Sequence, residues 1–232
     1  MRDRKPADLP LREDVGSGEE PAFDFMLTRI HGAERAKIGM IRGRPYGVDY
    51  FKALANTPVL GEALGRMGKA AMEVPGGENT LSDADHELID AVIAFDSGYN
   101  WLMGGHAALA LQAGVRLEAL EAIRNGNETD LTHDEKQQVD FTRAVRDGKM
   151  TPEVWAGMID RLGSERGAIE YAFFVLLVFF NHLLANAMGI PDMKESELDE
   201  MFARFHKDRP VVSYHEYAKT FGDAAFKVKS DA

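Results

Sequence analysis

Residues 82–114 read SDADHELIDAVIAFDSGYNWLMGGHAALALQAG, and they divide into two helices at Ser97-Gly98. Ser82 is a good N-cap, and Asp85 follows it with acidic neighbours in the first turn, as a helix start prefers. On the first helix Ala84, Glu87, Ala91, Ala94 and Gly98 fall at i, i+3, i+7, i+10 and i+14, a stripe of small residues holding one carboxylate. Small side chains let a neighbouring helix come close, so the stripe draws Glu87 toward an interior. There a carboxylate is costly unless it is paired or protonated. On the second helix the spacing puts Tyr99, Leu102, Met103, His106, Ala110 and Ala113 on one face. His106 thus lies on an apolar face behind Gly104-Gly105. That pair costs roughly 2 kcal/mol of helix propensity and is tolerated best where backbone or a ligand approaches.

Outward from this pair the chain reads as further helices. Residues 1–21 are charged and broken by Pro and Gly, a flexible or draped arm. Phe23, Met26, Leu27 and Ile30 share a face of a short helix over 22–35. Residues 41–46, IRGRPY, form a loop with two arginines, Arg42 and Arg44. Their guanidinium geometry suits a substrate carboxylate, and a solvated turn is the plainer reading. Thr57-Pro58 opens a helix, and residues 73–82 make an open connection into the central pair. Beyond Gly114 come helices at 116–124, from the Thr132/Glu135 capping box to Asp147, from Thr151-Pro152 onward, and over 164–188. A last amphipathic helix spans 195–205, and residues 206–232 are a polar tail. The expectation is an all-α protein with one helical domain over 22–205.

The segment 164–188 contains YAFFVLLVFF. Glu170 before the run and Asn181-His182 after it cut it short of the roughly twenty residues a bilayer needs. Apolar residues all round the helix imply burial on every side, which a subunit interface supplies most easily. Lys plus Arg against Asp plus Glu is 27 against 38, a net charge of −11 over 232 residues. An acidic chain without a basic stripe argues against nucleic acid and anionic lipid as partners. The absence of cysteine excludes disulfides, thiolate zinc sites and iron–sulfur clusters. The N-terminus lacks the apolar core of a secretory signal, so a cytoplasmic location is expected.

The string Glu87 … Tyr99-Asn100-Trp101 … His106-Ala107-Ala108-Leu109 … Gly114-Val115 resembles the carboxymuconolactone decarboxylase and alkylhydroperoxidase D superfamily, over a core of 81–191. The resemblance implies an alkylhydroperoxidase D-like helical bundle assembled through helix–helix interfaces, as a trimer or hexamer. It also implies a place in aromatic compound catabolism. Redox members carry a Cys pair seven and four positions before the His, which here are Tyr99 and Leu102, so their thiol chemistry cannot operate. Glu87 and His106 match the family's acid–base positions. His86 stands where the decarboxylases commonly have Arg, and Asn100 where a Glu is frequent.

The candidate catalytic residues are therefore His106, Glu87 and Tyr99, with Trp101, Met103, His182, Arg42 and Arg44 as candidate substrate-binding residues. A carboxylate orients an imidazole and stabilises its protonated form, the minimum for general acid–base work. A buried Glu–His hydrogen bond that only locks two helices is the structural alternative. His86 is expected to point into solvent. Glu87, His106 and His182 together offer metal ligands, but HxxxH and HExxH spacings are missing, so no metal and no cofactor are expected. The functional expectation is a cofactor-free enzyme acting on a small carboxylated substrate such as a lactone, by decarboxylation or a related isomerisation or ring opening. A catalytically silent small-molecule-binding member is the second reading, its pocket lined by Trp101, Met103 and residues 173–180.

Overall fold

The computed structural model describes residues 5–36, 38–72 and 80–208. Ten helices are present among them, with two short strands, and about 71% of the chain is helical, so the all-α reading holds. Residues 5–19 are mostly exposed and hold one 3-10 turn at Arg12–Asp14. Arg12 pairs with Asp24, and Asn56 Nδ2 donates to the Asp8 carbonyl (3.0 Å), so this arm lies against the body. The expected connection over 73–82 lies outside the described residues from 73 to 79, as does the tail from 209 onward.

The first layer is α1 (Glu20–Ala36), α2 (Val48–Leu54) and α3 (Pro58–Met72). Phe23, Met26 and Ile30 of α1 are buried, as their spacing implies. The seven-residue α2 escaped the sequence reading because it is too short to show a periodicity. Residues 41–46 are not an irregular loop: β1 (Met40–Ile41) and β2 (Arg44–Pro45) pair antiparallel as a minimal hairpin. Arg42, at its tip, has φ 49, a left-handed conformation rare outside glycine.

The centre of the molecule is α4 (Asp83–Ser97), where every residue from Asp85 to Ala94 is buried. Ser82 caps it as expected: its hydroxyl accepts from the Asp85 N–H, and the Asp85 carboxylate accepts from the Ser82 N–H. Asp85 is held from outside by Arg161 at 2.6 Å, so its burial is compensated. Around α4 stand α5 (Met103–Ala113), α6 (Leu117–Asn125), α7 (His133–Asp147), α8 (Pro152–Leu162) and α9 (Glu165–Ala187), followed by α10 (Glu195–Phe205). The Thr132/Glu135 capping box and the Thr151 cap form as read.

Two expectations require correction. The second central helix begins at Met103, so Tyr99–Leu102 form a turn and do not share a helical face with His106. Gly98 closes α4 in the left-handed conformation, and the Tyr99 N–H then goes to the Ser97 hydroxyl (3.3 Å) and not to a helical carbonyl. The apolar helix is likewise not buried on every side. Tyr171, Phe174, Val175, Val178 and His182 of α9 face the core, while Ile169, Phe173, Leu176, Phe180 and Leu183 are each about half exposed. The helix surrounded on all sides is α4, the one that carries the charges. As a helix of 23 residues, α9 is long and apolar enough to cross a membrane, although 44% of its most apolar window is buried inside the protein.

Candidate active site

Glu87 projects from the middle of α4 toward α5, where His106 stands one turn from the start of the helix. The His106 Nδ1–H donates to Glu87 Oε2 at 3.1 Å. The same nitrogen lies 2.8 Å from Oδ2 of Asp90, which the sequence reading missed. Asp90 follows Glu87 by one helical turn, and the i, i+3 spacing was the available signal. Both carboxylates are closed to solvent, with side-chain exposures of 2% and 6% against 15% for His106. Any proton the cluster exchanges with a ligand therefore passes through the imidazole.

Burial pushes Glu87 up to about 7, against the pull of the His106 charge. Burial also disfavours the charged imidazole, but Asp90, Tyr46 and Glu87 together outweigh it and hold His106 well above its usual value. These contacts favour the protonated form of the ring. Glu87 and His106 titrate as a coupled pair.

The two glycines before His106 have a steric reason. A Cβ on Gly104 would meet Ile41 of the hairpin at 2.4 Å, and one on Gly105 would meet the Tyr46 ring at 2.3 Å. From the other side, a Cβ on Gly39 would lie 1.6 Å from the Gly104 carbonyl oxygen, so the hairpin sits directly on the α5 backbone. This contact delivers Tyr46 edge-on to His106, with ring centroids 5.4 Å apart at 84°. Trp101 packs against Tyr46 and Tyr50, 5.1 Å from each. A shallow, half-open pocket with an enclosed volume of about 10 Å³ is lined by Tyr46, Tyr50, Trp101, Arg44 and Ile190 among others, and reaches the cluster only through Tyr46.

The structure thus brings Glu87 and His106 together and sets Trp101 at the neighbouring pocket. Tyr99 is engaged elsewhere: its hydroxyl donates to the Ile190 carbonyl (2.9 Å), and its ring packs against Trp101 and His182. Met103 is fully buried in the core. His182 is also buried, with Nε2 at 2.7 Å from the Ser97 hydroxyl and the ring 4.9 Å from Tyr99, so it belongs to the α4–α9 seam. Arg42 donates from Nε to the Asp192 carbonyl (3.0 Å), and its N–H binds Glu197. Arg44 lines the pocket but is engaged by Asp49 through two contacts, at 3.0 and 3.1 Å. His86, expected in solvent, is buried against Phe174 at 4.3 Å, with neither ring nitrogen hydrogen-bonded among the described residues. Of the run at 173–180, Phe173, Leu176 and Phe180 lie on the outer surface and line no part of this pocket.

No family model matches the chain, and neither the curated proteins nor the solved structures searched contain a match.

Proposed function

We propose that the chain is a cofactor-free acid–base enzyme, a lyase of the carboxymuconolactone decarboxylase type, acting on a small carboxylated ring compound such as a lactone. The observation that carries this reading is one imidazole held between two closed carboxylates and packed edge-on against Tyr46, a wall of the neighbouring pocket. The superfamily assignment rests on the resemblance of the Glu87 to Val115 string. The lyase reading, a small-molecule partner, a homo-oligomeric state and a cytoplasmic location stand with it as parts of the same proposal.

In a decarboxylation the C–C bond to the carboxylate breaks, and its electron pair stays on the adjacent carbon as an enolate. The His106 imidazolium gives that carbon a proton, and Glu87 and Asp90 hold the ring in place before and after the transfer. The aromatic walls formed by Tyr46, Tyr50 and Trp101 suit a flat ring. Arg44 would receive a substrate carboxylate only by exchanging Asp49 for it. That engagement favours the second reading, a binding protein for a less charged ring, if the exchange does not occur.

The test is a panel of carboxylated lactones assayed with wild type and His106→Gln side by side, following carbon dioxide release and ring absorbance. Turnover by wild type, with a loss of about a hundredfold or more in the variant, supports the enzyme. Equal turnover by both proteins refutes His106 as the acid. Binding without turnover across the panel selects the second reading.

A further inference from the structure

Glu87, Asp90 and His106 also have the makings of a metal site. One oxygen from each carboxylate and one imidazole nitrogen lie within 4.8 Å of one another, on two helices whose backbones are fixed by close packing. The nitrogen–oxygen spacings are 3.1 and 2.8 Å. A tetrahedral ion with ligand bonds of about 2.1 Å needs donors about 3.4 Å apart. The observed spacings widen to this by a few tenths of an ångström, which rotation of the carboxylates supplies.

Burial points the same way: two carboxylates closed to solvent call for positive charge beside them, and a divalent ion bound to both supplies it. We propose that Glu87, Asp90 and His106 bind a single divalent transition-metal ion of the zinc class, seated between the imidazole Nδ1 and the two carboxylates. One nitrogen and two oxygens suit zinc, cobalt or manganese. Magnesium and calcium demand more oxygen ligands than the cluster offers.

Three protein ligands leave one position of a tetrahedral ion to water or ligand. An ion on Nδ1 keeps the ring neutral, so metal occupancy and proton donation by a His106 imidazolium exclude one another. The site makes zinc an inhibitor of the proposed reaction. The binding itself does not rest on that reaction, so each can fail without the other.

Calorimetric titration of chelator-treated protein with Zn²⁺ and with Co²⁺ tests the site. One ion per chain is expected, with affinity falling at least tenfold in Asp90→Asn and at least thirtyfold in His106→Ala, and unchanged in the exposed-histidine control His206→Ala. A second measurement needs no variant: in the unmutated protein, Co²⁺ should perturb the ring signals of His106 far more than those of His31, His133 and His206. Unaltered affinity in folded His106→Ala, or paramagnetic shifts centred on the surface histidines, would overturn the site and mark the binding as adventitious attraction to an acidic surface.

Discussion

His106 Nδ1 lies closer to Asp90, at 2.8 Å, than to Glu87, at 3.1 Å, so the carboxylate one turn further along α4 is the nearer partner of the imidazole. Removing it should change what the ring does at neutral pH. In chelator-treated wild type, the His106 ring should remain protonated through neutrality in an NMR titration. Asp90→Asn should bring its titration down toward the ordinary histidine range, and Glu87→Gln should do so by a smaller amount. Equal titration in all three proteins would show that the contacts are not electrostatically coupled.

Activity should follow the same logic. Glu87→Gln, Asp90→Asn and His106→Gln should each cost a large factor in turnover, and the double variant Glu87→Gln/His106→Gln should be little worse than the worse single one. Multiplying losses would mean that the groups act separately.

Stability should depend on pH with a sign set by burial. Burial raises the folded-state value of Glu87 from 4.5 to about 7. The stabilisation this gives is complete below pH 4.5 and is lost as pH climbs to about 7. His106, raised well above 6.5, adds a contribution present below 6.5 that fades as pH rises through its folded value. His182 works in the opposite sense: burial lowers it from 6.5 to about 4, so its contribution is full above 6.5 and is lost toward pH 4. That loss amounts to roughly 3 kcal/mol. Thermal melts of chelator-treated protein should therefore show Glu87→Gln gaining on wild type steadily between pH 4.5 and 7. A flat difference across that window would contradict the burial of an ionisable Glu87.

The half-exposed residues of α9, Ile169, Phe173, Leu176, Phe180 and Leu183, alternate at spacings of four and three, the spacing of a helix seam. Two charges set into it, as in Phe173→Asp with Phe180→Asp, should lower the mass seen by light scattering from a multiple of the 25.7 kDa chain to the chain itself. A wild type that is already monomeric at micromolar concentration would remove the case for self-association through this face.

Two glycine substitutions should move stability in opposite directions. Gly104→Ala drives a methyl into Ile41 and should cost about 1–3 kcal/mol in chemical denaturation. Gly68→Ala, within α3 and facing open space, should gain up to about 1 kcal/mol. If both behaved as helix-interior glycines, Gly104→Ala would also stabilise, and the hairpin would not be seated on α5.

Much of this was legible in the sequence because it rested on local chemistry. The caps at Ser82, Thr132 and Thr151 act within a few residues, so they survive any tertiary arrangement, and the helix boundaries they set are the observed ones. The Glu87–His106 pair was legible because small residues and helical phase turn both side chains inward. Asp90 was not, since an Asp among Leu, Ile and Ala reads as a solvent-facing interruption until a cation is known to meet it. The same bias inverted the ranking of the helices. Apolar content marked α9 as the most enclosed, yet enclosure belongs to α4, whose buried Asp85, Glu87 and Asp90 are compensated by Arg161 and His106 from other elements. Long-range pairing of this kind has no signature in a single local window. The hairpin was missed for a related reason: two-residue strands carry no alternation, and the hairpin exists because the α5 backbone offers it a seat.

That seat is made of main chain on both sides, where Gly39 meets the carbonyl of Gly104. Contacts between side chains can drift through a lineage by compensating exchanges, one residue growing as its neighbour shrinks. A contact between two backbones has no such currency, because the smallest step away from glycine already collides. The exposed Arg42 and Arg44 of the hairpin are free to diversify, and with Arg44 the chemistry presented to the pocket, while the hinge that aims Tyr46 at His106 stays fixed. Variation in ligand preference among descendants of this chain should therefore accumulate at the hairpin tip and along the pocket wall, and the three glycines beneath should be the last positions to change.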